Sequence, residues 1–136
     1  MIEERPFYRN KKVGSVTIKN SECRENFQYY LYGCTNLAYV KFECLLGVKY
    51  TDKMFYGCVS LCVVEFGPAP DLITAKGMFK GCRHLQSITL RALQNLEDAE
   101  EMFCDCVRLE HVDIDFGTRL ENDKDMFKNC KRLKLK

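Results

Sequence analysis

His111, Asp113 and Asp115 alternate along one short stretch of the chain. In a strand, alternation turns all three side chains to one face. An imidazole beside two carboxylates could hold a divalent metal or relay a proton. Alternate strand residues lie about 6.8 Å apart, too far for three ligands on one ion without help from elsewhere. The bland expectation is an ordinary solvated sheet face. The 9 cysteines could also do chemistry. Cys104-x-Cys106 and Cys58-x-x-x-Cys62 lack the paired spacing of a zinc finger or ribbon. A disulfide framework is disfavoured by the odd count and the absence of a secretory signal, so free thiols in a reducing cytosol are expected. Cys104 is the expected exposed, reactive thiol. Bases are scarce, since the only histidines are His84 and His111. No Ser-His-Asp set, Gly-x-x-x-x-Gly-Lys loop or Gly-x-Gly-x-x-Gly can be named. The expectation is no enzyme, no metal and no cofactor.

The reason most of these residues do not signal a site is their period. Cys34, Cys58, Cys82, Cys106 and Cys130 stand 24 residues apart. Met54, Met78, Met102 and Met126 share that spacing, each followed by a Phe, and so do Leu37, Leu61, Leu85, Leu109 and Leu133. A fixed period near this length marks a solenoid. Units begin at Tyr30, Met54, Met78, Met102 and Met126, after a degenerate one at Phe7, Val13, Val16 and Ile18, giving about five and a half coils. Leu37-x-x-Val40-x-Phe42 and its copies end in the alternation of short, half-buried strands, which should join as one parallel sheet. Ahead of each Met-Phe pair the rhythm changes. Leu96, Ala99, Phe103 and Cys106 fall on one side of a helix, as do Leu72, Ala75, Phe79 and Cys82. Asp71 and Asn95 stand where N-caps belong. Gly33, Gly57, Gly81, Asp105 and Asn129 suit a left-handed residue ending each helix.

These columns resemble the leucine-rich repeats of the bacterial surface-antigen type, called BspA-like. Their shared signature is Met-Phe-x-Gly-Cys-x-x-Leu-x-x-Ile/Val-x-Leu. The resemblance covers residues 30–133 closely and 7–29 loosely. It implies a right-handed α/β solenoid with a parallel sheet on one face. It implies one domain over 1–136, with a degenerate first repeat at 1–29 and regular repeats at 30–136. It also implies a binding scaffold for adhesion or protein–protein contact, without catalysis. Two departures stand out. Many relatives are exported, whereas this chain opens on an acidic stretch without an apolar signal and shows no anchor, so a cytoplasmic protein is expected. The Asn ladder of better-known leucine-rich repeats is absent. The Cys column takes part of that internal role, although a thiol satisfies backbone groups less well than an amide.

Function must then lie in what the repeats do not share. All 7 tyrosines precede residue 57, and Tyr8, Tyr32 and Tyr56 share one column. They are expected to stack as an exposed ladder that either meets a partner or supports the first coils. The outward strand positions form the default binding face. Its candidate residues are Tyr39, Lys41, Val63, Glu65, Ser87, Thr89, Arg91, His111, Asp113 and Asp115, with Tyr32 and Tyr56 from the ladder. A net charge of +2 does not by itself imply nucleic acid or a membrane surface. Hydrophobic content of 46% and the lack of a membrane-length apolar run fit a soluble globular domain. The expected function is an intracellular adaptor or inhibitor that binds another protein. Alternatives are a surface adhesin unit without its export signal, and an accessory of a nucleoprotein complex using the basic ridge of Lys80, Arg83, His84, Arg108, Lys128, Lys131 and Arg132. The ridge lacks interleaved aromatics, which argues against RNA stacking. At the C-terminal edge, Lys134 and Lys136 are expected to blunt the open coil, or a partner or second copy covers it.

Overall fold

The computed structural model describes residues 5–134. Residues 1–4 at the start of the expected domain, and Leu135 and Lys136 at its blunted edge, lie outside the described residues. Five strands recur at the predicted period: β1 (Ser15–Ile18), β2 (Tyr39–Phe42), β3 (Val63–Glu65), β4 (Ser87–Leu93) and β5 (His111–Phe116). They pair in parallel with a shift of one repeat: Ser15 lies opposite Tyr39, Tyr39 opposite Val63, and Ser87 opposite His111. The chain therefore winds a parallel-strand solenoid of about four turns from β1 to β5. Among the described residues no helix is long and apolar enough to cross a membrane.

The expected helices do not form. Among the described residues the only helical element is a 3₁₀ turn at Asn20–Glu22. The reason is a second left-handed column, four residues before the first. Tyr29, Lys53, Gly77, Glu101 and Asp125 have φ between 53° and 61°, and Gly33, Gly57, Gly81, Asp105 and Asn129 have φ between 64° and 80°. Two left-handed residues within five positions break any right-handed helix. The backbone instead alternates its partners. Met54 N–H bonds within the turn to Thr51 O at 3.1 Å, while Phe55 N–H reaches Met78 O of the next coil at 2.8 Å. Tyr56 then bonds back to Lys53, and Gly57 forward to Lys80. A repeating pair of tight turns thus reproduces the apolar spacing of a helix. Asp71 and Asn95, expected as N-caps, staple neighbouring coils instead. Asp71 accepts the Gly47 N–H at 2.8 Å, and Asn95 Nδ2 donates to Pro70 O at 2.7 Å.

The sheet is also not continuous. It divides into β1-β2-β3 and β4-β5. Gly67-Pro68-Ala69-Pro70 follows β3, and two prolines there remove donors and stop the strand early. β4 runs on past that point through an irregularity between Leu90 and Leu93. The turn side carries the connection instead: parallel bridges link Asn26, Tyr50, Thr74, Asp98 and Asn122 in series. Near the last strand, Gly117 passes so close to the previous coil that a Cβ would come 2.3 Å from Gln94 Cα. Only glycine fits there.

The repeated columns fill the core. Leu37, Leu61, Leu85 and Leu109 are fully buried, as are Cys34, Cys58, Cys82 and Cys106. Phe55, Phe79, Phe103 and Phe127 stack in sequence at 5.2, 5.3 and 5.5 Å. The Cys column forms a thiol ladder. Cys34 donates to Phe7 O at 2.9 Å, Cys58 to Leu31 O at 3.1 Å and Cys82 to Phe55 O at 3.2 Å. Cys106 and Cys130 continue to Phe79 O and Phe103 O at 3.1 and 3.0 Å. Each thiol thus serves a carbonyl of the coil before it. Burial pushes the Cys58, Cys82 and Cys106 thiols far above their ordinary range, and Cys130 up to about 11.

Candidate interaction surface

Alternation in each strand sends every second side chain out of the solenoid. Lys41, Val63, Glu65, Ser87, Thr89, Arg91, His111, Asp113 and Asp115 are exposed, and Tyr39 is half-buried. The period brings them into rows: Tyr39 beside Val63, Lys41 beside Glu65, Ser87 beside His111 and Thr89 beside Asp113. Val63 is 47% exposed, unusual for an apolar side chain in the middle of a sheet face. Part of the face is already paired. Tyr39 OH donates to the Glu65 carboxylate, and that bond raises the phenol's pKa. Arg91 grips both oxygens of Asp113, at 2.9 and 2.6 Å. His111 Nε2 lies 3.7 Å from a Glu110 carboxylate oxygen. Asp113 is thus committed to Arg91 rather than to a site shared with His111 and Asp115. Among the described residues no three His, Cys, Asp or Glu side chains gather closely enough to hold a metal ion.

Two open depressions mark this face. One, of about 450 Å³, lies over Ser87, Thr89, His111, Asp113 and Lys134. The other, of about 420 Å³, lies where the sheet divides, lined by Lys41, Phe42, Glu65, Phe66, Gly67 and Thr89. The second depression lies beside the break between β3 and β4.

A second surface lies on the turn side. Tyr8, Tyr32 and Tyr56 stack as their column predicts, at 5.3 and 4.9 Å with interplanar angles of 16° and 5°. Tyr8 is 43% exposed, and Tyr32 and Tyr56 are half-buried. The sequence reading missed the column beside it, Arg5, Tyr29 and Lys53, although the same 24-residue spacing displays it. The Arg5 guanidinium lies 4.9 Å from the Tyr29 ring centre, and Lys53 Nζ lies 5.9 Å from it. Further along, Lys76 pairs with Asp98 at 3.3 Å and Lys80 with Glu101 at 2.7 Å. Those hydrogen bonds hold both ammonium groups above their ordinary pKa. The Tyr column does not stay exposed to its end. Cys104, expected as a reactive surface thiol, is 3% exposed, and burial raises its pKa. Its short side chain stays beneath the surface that Tyr and Lys reach in the same column. The exposed thiol is Cys62. Leu46, 64% exposed in the loop after β2, was also missed, because loop residues fall outside the periodic columns.

Stacked coils in one register, a buried Leu column and parallel strands on one side describe a leucine-rich repeat. Residues 1–69 match the family model for the BspA-type leucine-rich repeat region. The chain belongs to the BspA-type leucine-rich repeat family. The match takes in the degenerate first unit, and the later coils of this BspA-type repeat keep the same register in the structure. Neither the curated proteins nor the solved structures give a match to it.

Proposed function

We propose that this BspA-type repeat is a non-enzymatic protein-binding module that works inside a cell as an adaptor or inhibitor of a partner protein. One observation carries the reading. The outward face sets one row of variable side chains per coil, with the exposed Val63 beside Tyr39 at its middle and a depression next to them where the sheet divides. Aromatic and apolar side chains flanked by polar ones suit the centre of a protein interface. The repeat family supports a scaffold for protein contact. The intracellular setting is supported by the thiol ladder: five cysteines serve backbone carbonyls as free thiols, a role that disulfide formation would abolish.

The test is affinity capture from native lysate with the intact chain, beside a Tyr39→Ser/Val63→Asp variant shown to fold by circular dichroism. A protein held by the parent and lost by the variant supports the reading. Equal capture by both would remove the sheet face from it.

A further inference from the structure

We propose that the turn face of the first three coils is a docking site for an acidic segment of a partner protein. This rests on the protein-binding reading above and adds the partner's chemistry. Two columns run side by side there. One is Arg5, Tyr29 and Lys53, a ring with a cation from each neighbouring coil. The other is the stack of Tyr8, Tyr32 and Tyr56. It is closed by Lys53 Nζ at 5.8 Å and Lys80 Nζ at 6.0 Å from the Tyr56 ring centre. Tyr29 leans on Tyr32 at 5.6 Å and joins the columns.

Cations line this face. Lys76 and Lys80 have carboxylate partners, whereas Arg5, Arg9 and Lys53 form no ion pair among the described residues. No hydrogen bond among the described residues occupies the hydroxyls of Tyr8, Tyr32 and Tyr56. The Arg5 column turns acidic toward the other end, at Glu101 and Asp125, as does the neighbouring Arg9 column at Asp105, whereas the Tyr8 column continues to Lys80 and Lys128. An anionic segment is therefore drawn to the Arg5 column at the first coils and repelled where that column is acidic.

The geometry also separates peptide from nucleic acid. A nucleobase needs a free aromatic face. Among the described residues the ring faces meet one another and the cations, which leaves the outer face of Tyr8. Ring edges, hydroxyl donors and cations remain, and these suit carboxylates.

Binding of a fluorescein-labelled oligoglutamate peptide, followed by anisotropy, tests the site. An uncharged peptide, a labelled single-stranded oligonucleotide and phosphatidylserine vesicles run alongside. Arg5→Gln/Lys53→Asn removes both cations, and asparagine suits the left-handed backbone at 53, where φ is 54°. Tyr8→Phe/Tyr32→Phe/Tyr56→Phe keeps the stack and removes the hydroxyls. Lys131→Gln/Lys134→Gln is the control at the far end. The parent is expected to bind oligoglutamate over the uncharged peptide. The cation variant should bind about tenfold more weakly, the phenylalanine variant about threefold, and the control within about twofold. Absence of oligoglutamate binding, an equal loss in the far-end control, or tighter binding of the oligonucleotide or vesicles would overturn the proposal. If oligoglutamate binding fails while capture through Tyr39 and Val63 stands, this inference alone falls.

Discussion

Each ladder thiol donates a hydrogen bond to a carbonyl of the preceding coil and stays protonated because burial opposes the thiolate. The Cys82 side chain is fully buried between its neighbours and donates to Phe55 O. Removing it loses one hydrogen bond and leaves a small void. Cys82→Ala should cost about 1–2 kcal/mol in urea denaturation, and exposed Cys62→Ala no more than about 0.5 kcal/mol. The ladder also sets a pH dependence. Cys58, Cys82 and Cys106 have pKa values raised far above the ordinary range in the fold. Unfolded thiols ionise near pH ~8.5. Above that pH the unfolded chain holds fewer protons than the folded one, so stability falls as pH rises. The slope reaches at most ~1.4 kcal/mol per pH unit for each such thiol. The urea midpoint should hold steady to about pH 8 and drop steeply from about pH 9. A flat midpoint across that range would mean that the thiolates are tolerated in the core. At this scale the sequence was legible in the main: the period exposed the Cys column and its internal role. It misplaced Cys104, because a column's exposure depends on side-chain length as well as position.

Between residue and coil, periodicity misled in one respect. Leu96, Ala99, Phe103 and Cys106 keep helical spacing, yet the backbone takes two tight turns. The signal against a helix was local. Tyr29, Lys53 and Glu101 carry side chains at left-handed positions, and nothing in their residue type announces it. The strands were legible because alternation and β-branched residues report directly on a half-buried face. Their division between β3 and β4 was not read, although Gly67-Pro68-Ala69-Pro70 displays its cause. That division has a measurable consequence. Val63 N–H bonds to the O of Ala38, the residue just before β2. By alternation Val64 directs its N–H toward β4, where no strand pairs with it. Val40 occupies the same place in β2, with β3 alongside. Amide exchange should therefore be at least about tenfold faster at Val64 than at Val40. Equal protection would show that the two sheets close into one in solution.

A solenoid is held by contacts between neighbouring coils, so stability depends on where along the stack a side chain sits. The candidate surfaces follow the same logic. Their residues were legible as columns, whereas the pairs that neutralise some of them, Tyr39 with Glu65 and Arg91 with Asp113, depend on rotamers that spacing does not specify. The phenylalanine stack tests the positional rule. Phe79 lies between Phe55 and Phe103 at 5.2 and 5.3 Å and is fully buried. Phe127 stacks on Phe103 alone among the described rings and is half-buried. The strands show the same gradient: Ile88 and Leu90 of β4 are buried, and Val112 and Ile114 of β5 only half so. Alanine at 79 removes a ring that touches two coils and opens a cavity that neither neighbour can fill. Its cost should be about 3–5 kcal/mol, against about 1–2 kcal/mol at 127, where solvent already reaches the ring. Urea titration of both variants gives the comparison. Equal costs would mean that the last coil is packed as tightly as the centre, and the nearest-neighbour account of this solenoid would fail.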